Sequence, residues 1–331
     1  MQFKKLIALS FLVFGSALAQ AEEADEFIRT TQLPPSANAL VNQLVNQELK
    51  YLRDRINTDS RASCDRKYLI DRFLARLNGN NSKIGDRLKA AVTDQQTSNL
   101  FRIFDGNSVY HGIPEVKYCC IATLNLSNTP VGIDKVDHFF GNAGMLWQEW
   151  ENRPENERSE SMILQMAANQ EEGDWGIAMT GVKSYGDIGA NWSGFKFYRQ
   201  LLDGPNPFFT CKDNRLELIR EFKIEDFINK TWTESVNCSA FRTAEIAKTF
   251  VANLKLRGMT CPSKPSDCEE IMALYEKEPI VQRGVISPSC YSGRKIEDSV
   301  EAPAHHDWTQ LGVGAQSMIH YIMDRRARGA K

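Results

Sequence analysis

Ile133–Trp150, IDKVDHFFGNAGMLWQEW, is the stretch on which the fold turns. At 3.6 residues per turn, Val136, Phe140, Ala143, Trp147 and Trp150 fall on one side of a helix, with Phe139 and Leu146 at its margin. Asp134, His138, Asn142 and Glu149 fall on the other, with Gly141 and Met145 among them. A face so rich in aromatic rings belongs in a core. Asp134 and His138 are four positions apart, so their side chains can meet on consecutive turns. Asn128–Gly132, just before, reads as a turn.

A second informative stretch is Lys183–Tyr198, KSYGDIGANWSGFKFY. Ser184 is a cap for the helix it predicts, and Gly186, Ala190 and Gly194 recur every four residues. Each glycine costs a helix about 1 kcal/mol relative to alanine, so such a line makes sense where another backbone comes close. The central helix is the natural partner. Asp187 and Asn191 form a neighbouring polar line, which a crossing of the two helices would bring toward Asp134 and His138.

Around these two segments the chain is mostly helix-periodic. Leu40, Val41, Leu44, Val45, Leu49, Leu52 and Ile56 predict a first amphipathic helix, and Tyr68, Leu69, Phe73, Leu74 and Leu77 a second. A weaker helix is expected over Ile84–Val92, and others over Glu157–Gln170, Phe222–Ala240, Thr243–Leu256 and Glu269–Tyr275. Phe101–Tyr110 and Val116–Leu126 read as two short, paired strands, and Ile280–Ile286 as a short extended piece. Near the end, His305, His306 and Asp307 precede a helical stretch that includes His320. The expected fold class is mainly α: a compact multi-helix domain with a small β-hairpin-like element, held by disulfides. No repeat divides it, and the scarcity of strands disfavours a doubly wound α/β arrangement.

The N-terminus carries the pattern of an export signal. Lys4 and Lys5 precede the apolar run Leu6–Phe14, and Ala17-Leu18-Ala19 fits small-x-small cleavage. The expected organisation is therefore a signal peptide over 1–19, a flexible lead over 20–35, and one mainly helical domain over 36–331 with a loop-rich C-terminal part. No later apolar run is long enough for a transmembrane segment. All eight cysteines lie beyond the signal, which in an exported chain favours disulfides. Cys261 and Cys268 bracket a loop that a bridge could close, and the adjacent Cys119 and Cys120 read as bonding to different partners. Acids and bases are interspersed at a formal charge of −2, so nothing resembles a nucleic-acid face. The expected location is the periplasm or the extracellular space, with an envelope or extracellular ligand that the sequence does not identify.

For chemistry, Asp134 and His138 have the spacing of two metal ligands or of a histidine with its orienting carboxylate. A divalent metal is the cofactor this pattern admits, and zinc would need further ligands. His305, His306, Asp307 and Asp187 are the candidates to supply them. The competing reading is structural, with Asp134 capping the helix and His138 packing. Glu149 lies eleven residues of helix beyond His138, about 16 Å, and cannot join the pair. It is instead the candidate general acid of a glycan-cleaving site, with Trp147 and Trp150 as sugar platforms, although core packing is the simpler use of those rings. G-x-S-x-G, HExxH, Walker and Rossmann fingerprints are absent.

Asp134-Lys135-Val136-Asp137-His138-Phe139 resembles the D-K-x-x-H-F run of uncharacterised exported or membrane-associated bacterial proteins. The resemblance implies a bacterial envelope setting and carries no reaction with it. Two functional classes follow: a hydrolase acting at a polar or metal site near Asp134 and His138, or a non-enzymatic binding or structural protein.

Overall fold

The computed structural model describes residues 24–29, 32–59, 64–77, 105–113, 116, 122–173 and 176–301, with isolated positions between 84 and 102. The expected signal, Cys119 and Cys120, and the C-terminal histidines His305, His306 and His320 with Asp307 lie outside the described residues; of the expected third helix, the described positions Ile84, Arg87, Leu88, Ala90 and Ala91 are helical.

The chain is mainly helical, with three disulfides and three small antiparallel sheets among the described residues. Helix α1 (Asn38–Thr58) buries Val41, Leu44, Val45, Leu49, Leu52 and Ile56 along one stripe. Helix α2 (Arg66–Leu77) buries Leu69, Ile70, Phe73, Leu74 and Leu77. Strands β1 (Phe101–Arg102), β2 (Ala122–Leu126) and β3 (Thr129–Gly132) form the first sheet in that order. The expected turn at Asn128–Gly132 is thus shorter: Ser127 and Asn128, both at positive φ, turn the chain tightly and β3 follows at once. β3 runs straight into the central helix.

That helix has three parts: α3 (Ile133–Asp137), a π-turn over His138–Asn142, and α4 (Ala143–Asn152). In the π-turn the Ala143 N–H reaches the His138 carbonyl, five residues back. The wider turn lets both Phe139 and Phe140 point into the core, where a regular helix would leave one at the margin. Tyr198 fastens it by donating its hydroxyl to the Phe140 carbonyl at 2.7 Å.

Helix α5 (Glu160–Glu172) and the short α6 (Ile177–Thr180) lead through β4 (Val182–Lys183) to α7 (Tyr185–Gln200). Ser184 caps α7 by accepting from the Asp187 N–H at 3.1 Å. α7 is buried almost all the way round, and its small residues explain how. A Cβ on Gly194 would stand 2.1 Å from the Phe139 carbonyl oxygen and 2.5 Å from Ala143 Cβ. A Cβ on Gly186 would meet the Trp232 carbonyl oxygen at 2.8 Å and Lys135 Cε at 3.0 Å. The central helix is indeed the partner that approaches this line.

Elsewhere the sequence reading needs correction. Phe222–Ala240 is not a helix but two 3-10 turns, Ile224–Asp226 and Lys230–Trp232, joined by irregular chain. Its polar side chains take backbone partners that a helix would supply: Asn229 accepts from the Thr231 N–H, and Asn237 Nδ2 lies 2.9 Å from the carbonyls of Tyr185, Thr231 and Val285. A hairpin precedes it, β5 (Phe209–Lys212) and β6 (Arg215–Leu218), turned by Asp213 and Asn214 at positive φ. After β7 (Ala240–Phe241), which pairs with β4, come α8 (Ala244–Leu256) and α9 (Pro265–Leu274). The piece expected to be extended near Ile280 is a helix, α10 (Pro279–Val285), opened by a proline in its first turn. The disulfides join Cys64 to Cys211, Cys238 to Cys261 and Cys268 to Cys290, so Cys261 and Cys268 do not close a loop together. Residues 24–27 of the expected flexible lead are buried in the fold.

Gly194→Ala tests the close crossing. An exposed helix would gain from alanine, but here the overpacked methyl should cost about 2 to 3 kcal/mol and lower Tm by roughly 5 °C, read by thermal unfolding under oxidising conditions.

Candidate functional site

Where α3, α5, α7 and the loop before Val236 meet, the fold buries an unusual density of charge. Lys135, fully buried, is its hub. Its Nζ lies 2.6 Å from Asp187 Oδ1, 2.8 Å from Asp134 Oδ2, 2.9 Å from Glu234 Oε1 and 3.8 Å from Glu26 Oε1. Burial alone would lower the Lys135 pKa. The carboxylates of Asp134, Asp187, Glu234 and Glu26 outweigh it and hold the ammonium charged. Ser184 Oγ donates to Glu234 Oε1 at 2.7 Å, and Tyr110 donates to Oε2. Glu26 accepts the Gly132 and Glu234 N–H groups at 2.5 and 2.7 Å.

His138 extends the cluster toward solvent, with 13% of its side chain exposed. Its Nε2 is 3.0 Å from Asp187 Oδ2, so one carboxylate holds Lys135 with one oxygen and His138 with the other. On the far side of the ring, Nδ1 lies 3.2 Å from Asn191 Oδ1, 3.0 Å from Asn142 Nδ2 and 4.0 Å from Glu171 Oε1. Glu171, at the end of α5, is fully buried; the Ser184 backbone N–H faces its carboxylate, but neither oxygen meets a donor in good hydrogen-bond geometry. Asp134 Oδ1 and Asn191 Nδ2 are likewise buried without a hydrogen-bond partner.

The charges shift one another. Burial opposes the charged form of Asp187, but His138 and Lys135 overcome it and hold the carboxyl well below the usual range. Burial also opposes the His138 imidazolium, yet Asp187 by charge and hydrogen bond, with Glu171 behind it, pushes the pKa up to about 9. Glu171 goes up to about 8, chiefly through burial, with Asp187 adding and His138 and Lys135 opposing. Burial likewise raises Asp134 and Glu26 against the pull of Lys135. Five carboxylates (Glu26, Asp134, Glu171, Asp187, Glu234) thus face two cationic side chains in a medium that penalises unpaired charge.

The arrangement matches part of the sequence expectation. Asp187 and Asn191 do meet His138. No hydrogen bond joins Asp134 to His138; Asp134 pairs with Lys135 through Oδ2 instead. One ligand atom from each of His138, Glu171 and Asp187 lies within 4.8 Å of the other two, and these three could hold a metal ion. Glu149 stands apart, paired with Arg153 at 2.7 Å. Trp147 stacks on Tyr198 and Trp150 packs edge-on to Phe195 at centroid distances of 5.4 Å, so both rings serve the core. His305 and His306 fall outside the described residues.

Lys135, Glu26, Glu171 and Glu234 escaped the sequence reading. Glu171 sits in the polar run NQEEGD, which reads as an exposed helix end, and Glu26 in a stretch that reads as a loose lead. The signal that was present is Lys135 inside the D-K-x-x-H run, next to both polar candidates.

The chain matches no protein-family model, and no curated protein or solved structure is similar to it at a significant level.

Both raised groups have one consequence for stability. The Glu171 contribution is complete below its ordinary value of 4.5 and is lost as pH rises through about 8. The His138 contribution is complete below 6.5 and is lost as pH rises through about 9. In chelator-treated protein, Tm should therefore fall by roughly 5 °C between pH 6.5 and 9, and Glu171→Gln should flatten that slope. A Tm that is level or rising across this window would contradict the assignment.

Proposed function

We propose that this chain is an exported bacterial envelope protein that catalyses a hydrolysis at the centre formed by His138, Asp187 and Glu171. The compartment rests on the leader-like N-terminus, on three disulfides, and on the absence among the described residues of any helix long and apolar enough to cross a membrane.

One observation carries the catalytic reading: the Glu171 carboxylate, fully buried and without a donor in good hydrogen-bond geometry, facing the His138–Asp187 pair. Leaving such a group unsatisfied costs about 1 to 3 kcal/mol or more. A carboxylate kept for structure alone is found with partners, as Glu234 and Glu26 are. Perturbed groups beside a solvent-touching edge are the arrangement found at reacting centres. In this reading the three side chains form the polar wall that holds and polarises the attacking water, and Asn191 and Lys135 fix His138 and Asp187. The glycan-cleaving reading gains no support, because the partner of Glu149 is Arg153.

The test is a panel of ester, phosphoester, peptide and peptidoglycan substrates, offered to the oxidised wild type, Glu171→Gln and Glu149→Gln. Turnover of at least one substrate should drop by on the order of 100-fold in Glu171→Gln and persist in Glu149→Gln. No turnover above the Glu171→Gln background on any substrate would leave the binding-protein reading in its place.

A further inference from the structure

The structure assigns His138, Asp187 and Glu171 as the three protein ligands of a divalent first-row transition-metal ion. This rests on the reading of the same residues as the reacting centre, and adds what would polarise the water there.

The His138 ring is the first argument. Nδ1 has an acceptor, Asn191 Oδ1 at 3.2 Å, and a donor, Asn142 Nδ2 at 3.0 Å, so the ring is held in place whichever of its nitrogens carries the proton. Nε2 lies 3.0 Å from Asp187 Oδ2, and in the metal-free protein the imidazolium proton sits between them. A metal ion bound at this point would take the place of that proton, leaving the remaining ring N–H on Nδ1 with Asn191 Oδ1 as its acceptor. A ligand histidine whose other nitrogen donates to a fixed acceptor is the usual outer-shell arrangement at metal sites.

Glu171 is the second argument, and it is independent of the first. It offers a fully buried carboxylate with no donor in good hydrogen-bond geometry, and its ligand atom falls within 4.8 Å of those of His138 and Asp187. Metal–ligand bonds of about 2.0–2.2 Å at tetrahedral angles put ligand atoms about 3.4 Å apart, so the Nε2–Oδ2 pair need open by only a few tenths of an ångström, while the Glu171 carboxylate, now 4.0 Å from Nδ1, has to turn toward Nε2.

The surroundings fit a cation of modest coordination number. Lys135 occupies the other oxygen of Asp187, which limits that carboxylate to one metal bond. One imidazole and two carboxylates suit zinc, manganese or iron, whereas calcium takes six to eight oxygens. Asp134, the ligand that helical spacing suggested, is not among the residues whose ligand atoms gather with those of His138. Three protein ligands leave coordination positions for water, as in hydrolytic centres.

The experiment uses the full chain with its disulfides intact. After dialysis against chelator, Zn²⁺ and Mn²⁺ are titrated by calorimetry, with elemental analysis for stoichiometry, and Co²⁺ is added separately as a spectroscopic probe. One ion per chain is expected, with a Co²⁺ visible spectrum of low coordination number. Glu171→Gln, which keeps the shape of the side chain, should weaken binding by on the order of 100-fold and abolish that spectrum, with its circular dichroism unchanged. Glu149→Gln should bind like wild type. The inference is overturned if the wild type takes up no stoichiometric ion, or if folded Glu171→Gln binds as tightly as wild type. Stoichiometric metal without turnover on the substrate panel would sustain the metal site and sink the hydrolase reading. Turnover that survives complete metal removal would do the reverse.

Discussion

The buried Lys135 ammonium is the constraint on which the rest of the structure depends. Taking such a group out of water costs several kcal/mol unless its environment replaces the lost hydration. The replacement comes from parts of the chain far apart in sequence: Asp134 beside it, Asp187 on α7, Glu234 in the irregular loop and Glu26 in the N-terminal segment. Each must be delivered within a few ångströms. That requirement accounts for features that look arbitrary one at a time. Gly186 has no side chain where Lys135 Cε passes. After the 3-10 turn, residues 233–238 stay irregular, and Glu234 turns its carboxylate toward Lys135 and its N–H toward Glu26. The Cys238–Cys261 bridge ties down the end of that loop.

The π-turn meets a second demand placed on the same helix. Phe139 has to join Phe197, Phe227 and Trp232 in the aromatic core, and Phe140 has to pack on Phe197 and Phe222. A regular helix turns adjacent residues by about 100°, so it would place both rings inward only by rotating the polar side elsewhere. The extra residue in the turn lets both enter the core while His138 and Asn142 stay together on the polar side. Aromatic packing and site geometry are thus solved by one local irregularity, at the place where α7 comes closest through Gly194.

What could be read from the sequence follows the range of the interactions involved. Periodicity is local, so α1, α2, the central helix and α7 with its Ser184 cap were legible, as was the crossing implied by Gly186, Ala190 and Gly194. The meeting of Asp187 and Asn191 with His138 followed from that crossing. Phe222–Ala240 misled because its apolar residues recur at helical intervals while Asn229 and Asn237 use their side chains to hold non-helical backbone. The hairpin at Asp213–Asn214 was missed because its strands are short and alternate little. Long-range charge pairing leaves no periodic trace: nothing in the surroundings of Glu26 or Glu234 marks them as partners of Lys135. Hence the site's existence was visible, but its hub and Glu171 were not.

Asp187 divides the buried charge into two halves of different character. Through Oδ1 it belongs to the Lys135 half, where Glu234 and Glu26 bond to groups that hold separate segments in place. That half stabilises the fold. Through Oδ2 it belongs to the His138 half, where the imidazole reaches the solvent edge and the Glu171 carboxylate has no donor in good hydrogen-bond geometry. A carboxylate without such a bond ties no segments together, and its burial opposes folding. The two halves cannot be exchanged, because the ammonium has already filled the first. The metal ion proposed above belongs to the second half, where one ligand atom from each of His138, Glu171 and Asp187 lies within 4.8 Å of the other two.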